Sequence, residues 1–282
     1  MTTKLYPTVL ITGCSSGIGE GLAIELNKQG YKVLATARNP SKLTSLNTLG
    51  IATYPLDVTN QDSINQLATQ FEREEIKVDA IINNAGYASI GPMAELPIED
   101  LEQQLSTNVV GIVRVTQAFS KTMLEQQQGL IINIGSVSGI LTTPFSGAYC
   151  ASKAAVHSIT DAMRIELAPF NIKVVDVRPG AIQSNFGDNA MSGTEKNRAR
   201  FTRYTDIFEK IMERANASQE NPTSTEEFCK TLIKQCFTEN PVSVQYIGNG
   251  SIAFPLLKRC LPTPLLDKIL SKRFGLNLLK AK

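Results

Sequence analysis

The hydrophobic positions of this chain fall into short continuous runs that alternate with longer amphipathic stretches. Thr8-Val9-Leu10-Ile11-Thr12 is an apolar run rich in β-branched residues, and it leads straight into Gly13-Cys14-Ser15-Ser16-Gly17-Ile18-Gly19. Glu20 to Gln29 then carries helical spacing and is closed by Gly30. The same reading predicts strands over Tyr31 to Ala37, Ala52 to Leu56, Asp79 to Ile82, Leu130 to Ile134, Ile172 to Val177 and Val242 to Ile247. It predicts helices over Asn60 to Glu75, over a long stretch from 98 to 127 interrupted by Asn108, up to Phe170 from the segment holding Tyr149, and over Glu226 to Phe237. Strands alternating with helices at this rhythm mean βαβ units. The expected fold is α/β, a doubly wound parallel sheet with helices on both faces and a ligand crevice at the carboxyl ends of the strands.

The polar motifs cluster at those strand ends. The turn from Gly13 to Gly19 has the spacing G-x-x-x-G-x-G, which lets backbone N–H groups approach a pyrophosphate at a helix N-terminus. Arg38 closes the second strand, where an NAD-binding unit usually carries an acid for the ribose 2′-hydroxyl. A guanidinium suits the additional 2′-phosphate, so NADP(H) is favoured over NAD(H); a solvated arginine at a helix start is the plain alternative. Later strands deliver Asp57-Val58, Asn83-Asn84-Ala85-Gly86, Gly135-Ser136 and Arg178-Pro179-Gly180. Tyr149 and Lys153 lie four residues apart on one predicted helix, so phenol and ammonium can enter one cleft. A cation beside a phenol lowers its ordinary pKa of about 10 and makes it a better proton donor. Two unrelated surface residues would show the same spacing.

Composition narrows the picture. With 282 residues and 42% hydrophobic content, the chain can bury one sizeable core. A net charge of +2, with no basic run among aromatic residues, gives no nucleic-acid surface. The five cysteines form no C-x-x-C pair, which argues against a disulfide framework or a zinc site and for a reducing, cytoplasmic setting. The single histidine, His157, cannot build a His-rich metal site, and a packed or interface role is expected for it. No run approaches the ~20 apolar residues of a membrane span, and Met1-Thr2-Thr3-Lys4 starts no long apolar leader, so secretion is not expected. Charge is uneven, since residues 256–282 hold seven Lys or Arg against Asp267 alone. There Leu265, Leu266, Ile269, Leu270 and Phe274 form an apolar stripe beside Lys268, Lys272 and Arg273. Such a segment can rest peripherally on an anionic membrane surface, or pack on the domain or at a subunit contact.

In order and spacing, these motifs resemble those of the short-chain dehydrogenases/reductases over about residues 8 to 185. T-G-x-x-x-G-x-G is Thr12 to Gly19, N-N-A-G is Asn83 to Gly86, and the family's Ser, Tyr and Lys match Ser136, Tyr149 and Lys153. Asn108 matches its helix asparagine, and Asp57 the residue that meets adenine. The resemblance implies a single-domain Rossmann fold in which Tyr149 is general acid for carbonyl reduction or base for alcohol oxidation. Lys153 would lower the phenol's pKa and hold the nicotinamide ribose, Ser136 would bond the substrate oxygen, and Asn108 would hold a water behind Lys153. Cofactor contacts would come from Gly13, Ser15, Ser16, Gly17, Ile18, Gly19, Arg38, Asp57, Val58, Asn84, Ala85, Gly86, Tyr149, Lys153, Pro179, Gly180 and Ser184. Ser184 departs slightly from the pattern, standing where the family often has threonine. Likeness to 17β-hydroxysteroid and retinol dehydrogenases and acyl-dihydroxyacetone-phosphate reductases implies a lipophilic carbonyl or alcohol substrate. The expected organisation is a catalytic domain over 1–255, with a substrate lid at about 186–222, and a basic C-terminal helical extension over 256–282. The lid stretch could equally be a surface insertion. Tyr87, Phe145 and Phe186 are candidate pocket-wall residues, and a homodimer or homotetramer is expected by analogy. A dinucleotide-binding regulator without catalysis is the rival, against which intact Ser136, Tyr149 and Lys153 count. A sugar-nucleotide epimerase would need a larger C-terminal substrate domain.

Overall fold

The computed structural model describes residues 4–279. From the N-terminus run β1 (Thr8–Ile11), α1 (Gly17–Lys28), β2 (Lys32–Ala37), α2 (Thr44–Thr48), β3 (Ala52–Pro55), α3 (Gln61–Arg73) and β4 (Ala80–Asn83). Then come α4 (Ile98–Leu105), a π-helical segment (Ser106–Val110), α5 (Gly111–Phe119), α6 (Lys121–Gln126), β5 (Gly129–Ile134), α7 (Gly147–Leu167) and β6 (Ile172–Pro179). The chain continues through α8 (Phe186–Lys196), α9 (Phe208–Asn216), α10 (Thr225–Cys236), β7 (Val244–Ile247), α11 (Ala253–Cys260) and α12 (Thr263–Arg273). The seven strands make one sheet in the order β3-β2-β1-β4-β5-β6-β7, with every pairing parallel.

The two faces of the sheet are covered by different helices, as the period-2 alternation of a strand requires. Val9 and Ile11 of β1 face Leu22 and Leu26 of α1 and Phe228, Leu232 and Ile233 of α10. Leu10, between them, faces the opposite layer of Ile64 and Leu67 from α3 and Val115 and Phe119 from α5. β4 and β5 are buried along their whole length. The chain order reverses between β1 and β4, which opens the crevice at their carboxyl ends. Local signals set the helix starts. Asn60 accepts the N–H groups of Asp62 and Ser63 at 2.9 and 3.1 Å at the head of α3, and Ser224 accepts that of Glu227 at 3.2 Å at the head of α10.

The expected parallel doubly wound fold is present, with local differences. The stretch from 98 to 127 is four segments, because the π turn around Asn108 and a break at Ser120 interrupt the helix. The short helix α2 and the helix α11 did not stand out in the apolar pattern. α11 carries Pro255 in its first turn, where the missing N–H removes no helical bond, and it runs across the boundary expected at 255/256.

A third apolar cluster lies beyond the sheet and joins residues 186–215 to the tail. Phe201, Ile207, Phe208 and Ile211 are buried there with Phe145, and Tyr149, Phe186, Phe274 and Leu276 pack against them. The Phe145 and Phe274 rings meet edge-on at 6.3 Å. Arg273 pairs with Glu213 at 3.7 Å and with Glu220 at 3.5 Å. The stripe expected on α12 therefore divides: Leu266 and Phe274 turn inward, while Leu265 and Ile269 stay exposed. Lys280 and Lys282 lie outside the described residues. Among those residues no helix is long and apolar enough to cross a membrane.

Candidate active site

The glycine turn after β1 and the N-N-A-G segment after β4 are one unit. Thr12 Oγ1 accepts the backbone N–H groups of Asn84 and Ala85, both at 3.0 Å. Asn84 Nδ2 donates in return to the carbonyls of Thr12 and Gly13 at 3.0 and 3.1 Å. A side chain at Gly13, whose φ is +74°, would place its Cβ 2.8 Å from Ala85 Cα. At Gly19 a Cβ would run into the Gly13 carbonyl and come within 2.6 Å of Asn84 Nδ2. Thr12 was legible as a motif residue, but its role as the clamp between two strand ends needs the pairing of β1 with β4.

Several features fit a dinucleotide. Ser16 is the N-cap of α1 yet makes no side-chain cap, so the first-turn N–H groups of Gly17, Ile18 and Gly19 remain available to an anion. Arg38, at the end of β2, is exposed and forms no ion pair among the described residues. Asp57 Oδ1 is held by the Thr59 N–H and hydroxyl at 2.9 and 2.7 Å, and Val58 packs on Gly111. Pro179 ends β6, and the Gly180 N–H donates to Ile247 at 3.0 Å. Ser184 folds back over the turn, so that a Cβ at Gly17 would sit 2.9 Å from Ser184 Cβ. Gly13, Ser15 to Gly19, Asn84 to Gly86, Pro179, Gly180 and Ser184 thus share one end of the sheet.

Ser136, just beyond β5, is buried; its hydroxyl accepts the Ser138 N–H at 3.1 Å and stands near the Tyr149 phenol on α7. One turn later, buried Lys153 donates from Nζ to the Ile134 carbonyl at 2.6 Å, with Nζ 5.8 Å from the centre of the tyrosine ring. Asn108 lies in the π segment. Its Oδ1 accepts the Tyr87 N–H at 3.1 Å, and its Nδ2 donates to the Tyr87 carbonyl at 2.9 Å and to Ser152 Oγ at 3.0 Å. The side-chain amide of Asn108 thus ties the loop after β4 to α7. Phe186 lies 5.5 Å from Tyr149, ring centre to ring centre. Phe145 is buried beneath Tyr204 and Phe274, within the third cluster.

The short chain dehydrogenase family model matches residues 7–195, the span that holds the glycine turn, Asn108, Ser136, Tyr149, Lys153 and Ser184. The chain belongs to that family. It is 33% identical over 267 residues to an uncharacterised oxidoreductase, YbbO, of Escherichia coli K12, covering 94% of each chain. Over 178 residues it is 36% identical to the NADPH-dependent 1-acyldihydroxyacetone phosphate reductase of Schizosaccharomyces pombe, covering 62% of this chain and 60% of that one. Among solved structures, the closed form of serine dehydrogenase complexed with NADP+ superposes with a TM-score of 0.74 at 26% identity, covering 86% of this chain and 94% of that one.

Burial dominates the electrostatics of this short-chain dehydrogenase. It pushes the Tyr149 phenol up to about 12, against the lowering influence of the Ser136 hydroxyl and the nearby Arg214 cation. Burial also pulls Lys153 down to about 8, opposed by the charge of Asp176. The Lys153 ammonium rests on the Ile134 carbonyl in this arrangement, with its Nζ 5.8 Å from the centre of the phenol ring. His157, one turn beyond Lys153, is packed rather than exposed. Burial, with Arg178 and Lys153 adding to it, pulls it down to about 4. At pH 7 the ring is neutral, so its 4.0 Å approach to Asp176 is not an ion pair, and the partner of Asp176 is Arg178 at 2.6 Å.

Proposed function

We propose that this dehydrogenase uses NADP(H) to interconvert a carbonyl and a secondary alcohol on a lipophilic substrate of steroid, retinoid or acyl-glycerone type. The observation that carries the reading is the convergence of Ser136, Tyr149 and Lys153 beneath an apolar lid built on Phe186 and Phe208. The name of the fission-yeast relative points the same way in both cofactor and substrate. Gly13, Ser15 to Gly19 and Asn84 to Gly86 would hold the pyrophosphate side of the dinucleotide. Arg38 would hold its 2′-phosphate, Asp57 and Val58 its adenine, and Tyr149, Lys153, Pro179, Gly180 and Ser184 its nicotinamide side. When bound, NADP(H) supplies the hydride.

The residues of the chain manage the proton and the geometry. Ser136 donates to the substrate oxygen and fixes the carbonyl against the phenol. Tyr149 is protonated at neutral pH, which is the form carbonyl reduction requires, and it delivers that proton to the same oxygen. In the oxidative direction it takes the proton back, with Lys153 stabilising the phenolate once its Nζ leaves Ile134. Asn108 keeps α7 and the loop after β4 in register, which fixes the distance between these groups. The five free thiols suit a reducing, cytoplasmic compartment.

Turnover of NADPH against steroid, retinoid, acyl-glycerone and simple ketone substrates tests this reading. Tyr149→Phe is expected to lower kcat by roughly 10²- to 10⁴-fold, the range of general acid catalysis, with NADPH affinity nearly unchanged. Undiminished turnover in that variant would overturn it.

A further inference from the structure

Arg214 has no place in the chemistry described so far, yet it stands beside it. It lies on α9, in the lid, and its guanidinium acts on both Tyr149 and Cys150. Its Nε donates to Thr143 Oγ1 at 2.6 Å. Thr143 Oγ1 lies 2.8 Å from Ser146 Oγ, which lies 3.3 Å from Cys150 Sγ. These groups are neutral, so the cation reaches from α9 to the segment before α7 without meeting a negative charge among the described residues. Among the described residues Arg214 forms no ion pair, and apart from the Cys150 thiol its terminal nitrogens have no partner. Neither terminal nitrogen is a buried orphan, so both are open to a ligand. The acid next door, Glu213, turns away to Lys210 and Arg273.

The guanidinium is half-buried and keeps donors that an anion would satisfy, and this partial burial pulls its pKa down. An arginine so held by Nε presents its remaining N–H groups as a fork, the geometry that matches two oxygens of a carboxylate or phosphate. We propose that Arg214 is a specificity-determining residue that binds an anionic group, phosphate or carboxylate, carried by the lipophilic substrate close to the carbonyl that Tyr149 serves. This rests on the function proposed above for its location, and it narrows the substrate class from any apolar carbonyl compound to an amphiphile with one anionic group.

The test is binding rather than turnover. Calorimetric titration of the full-length protein, with and without NADP+, uses octyl phosphate, octanoate and octanol below their aggregation concentrations. Wild type is expected to bind one of the anions about tenfold or more tightly than octanol, as a charge-assisted bidentate contact implies, and the tighter anion identifies the group. Arg214→Gln should erase the preference while octanol affinity stays within about twofold, and Arg214→Lys should retain part of it. The proposal is overturned if wild type does not discriminate, if Arg214→Gln still does, or if that variant weakens all three ligands equally. Tyr149→Phe should keep the full preference, so a failure of the redox reading alone leaves this result intact.

Discussion

Replacing Thr12 by valine removes one oxygen while keeping the volume, and the structure gives the cost. Thr12 is almost fully buried, and its hydroxyl is the acceptor for the N–H groups of Asn84 and Ala85, each at 3.0 Å. Its long contact to the Ile82 carbonyl, 3.5 Å, adds little. A buried donor left without a partner costs about 1–3 kcal/mol. Asn84 and Ala85 are half-buried, so water recovers part of each loss. The sum is about 2–3 kcal/mol, without a cavity contribution because valine fills the same space. For a chain of this size that is a fall in Tm of roughly 5–10 °C. Urea unfolding followed by circular dichroism measures it, and Thr12→Ser, which keeps the oxygen, should recover most of the difference. A valine variant within about 0.5 kcal/mol of wild type would show that the hydroxyl does not bind the two strand ends together.

Three other outcomes are expected. Arg38→Asp should raise the apparent KM for NADPH far more than that for NADH; equal responses would refute the 2′-phosphate contact. His157 has a folded pKa of about 4, below its ordinary 6.5, so the unfolded chain takes up a proton that the folded chain refuses. Its contribution therefore lowers stability as pH falls from 6.5 to 4, by at most about 3 kcal/mol. His157→Gln should flatten the stability profile in that window, and an unchanged slope would count against the assignment. Phe254, Leu256 and Leu257 of α11 are exposed beside Lys258 and Arg259, so co-sedimentation with phosphatidylserine-containing vesicles is expected and should fall in Leu256→Asp/Leu257→Asp. Equal sedimentation with and without that change removes the membrane contact.

The sheet was legible because its strands are continuous apolar runs ending in glycine-rich or Asn-rich turns, and a parallel sheet buried on both faces needs such runs. Tyr149 and Lys153 were legible as a spacing and Ser136 through the family resemblance, and the fold brings them together at the end of β5 and the head of α7. The resting position of Lys153 was not legible, since the Ile134 carbonyl that captures it lies nineteen positions away and only the packing of α7 on the sheet places it there. Arg214 was illegible for the same reason. On the sequence it is one charge in a polar stretch, and its meaning comes from Thr143 and Tyr149, supplied by another part of the chain. Conversely, His157 stood out as the only histidine, and the fold uses it as packing against Gly139 and Asp176.

The joint between lid and tail bears on how this molecule fails when warmed. α8 and α9 add no strand to the sheet; they are held by aromatic packing on Phe145, by the Thr194–Ile90 and Arg214–Thr143 hydrogen bonds and by the exposed grip of Arg273 on Glu213 and Glu220. Regions held this way open at lower free energies than the core strands. The packing around Tyr149 is therefore expected to open before the seven-stranded sheet below it, so that loss of turnover on warming should precede loss of the far-ultraviolet signal.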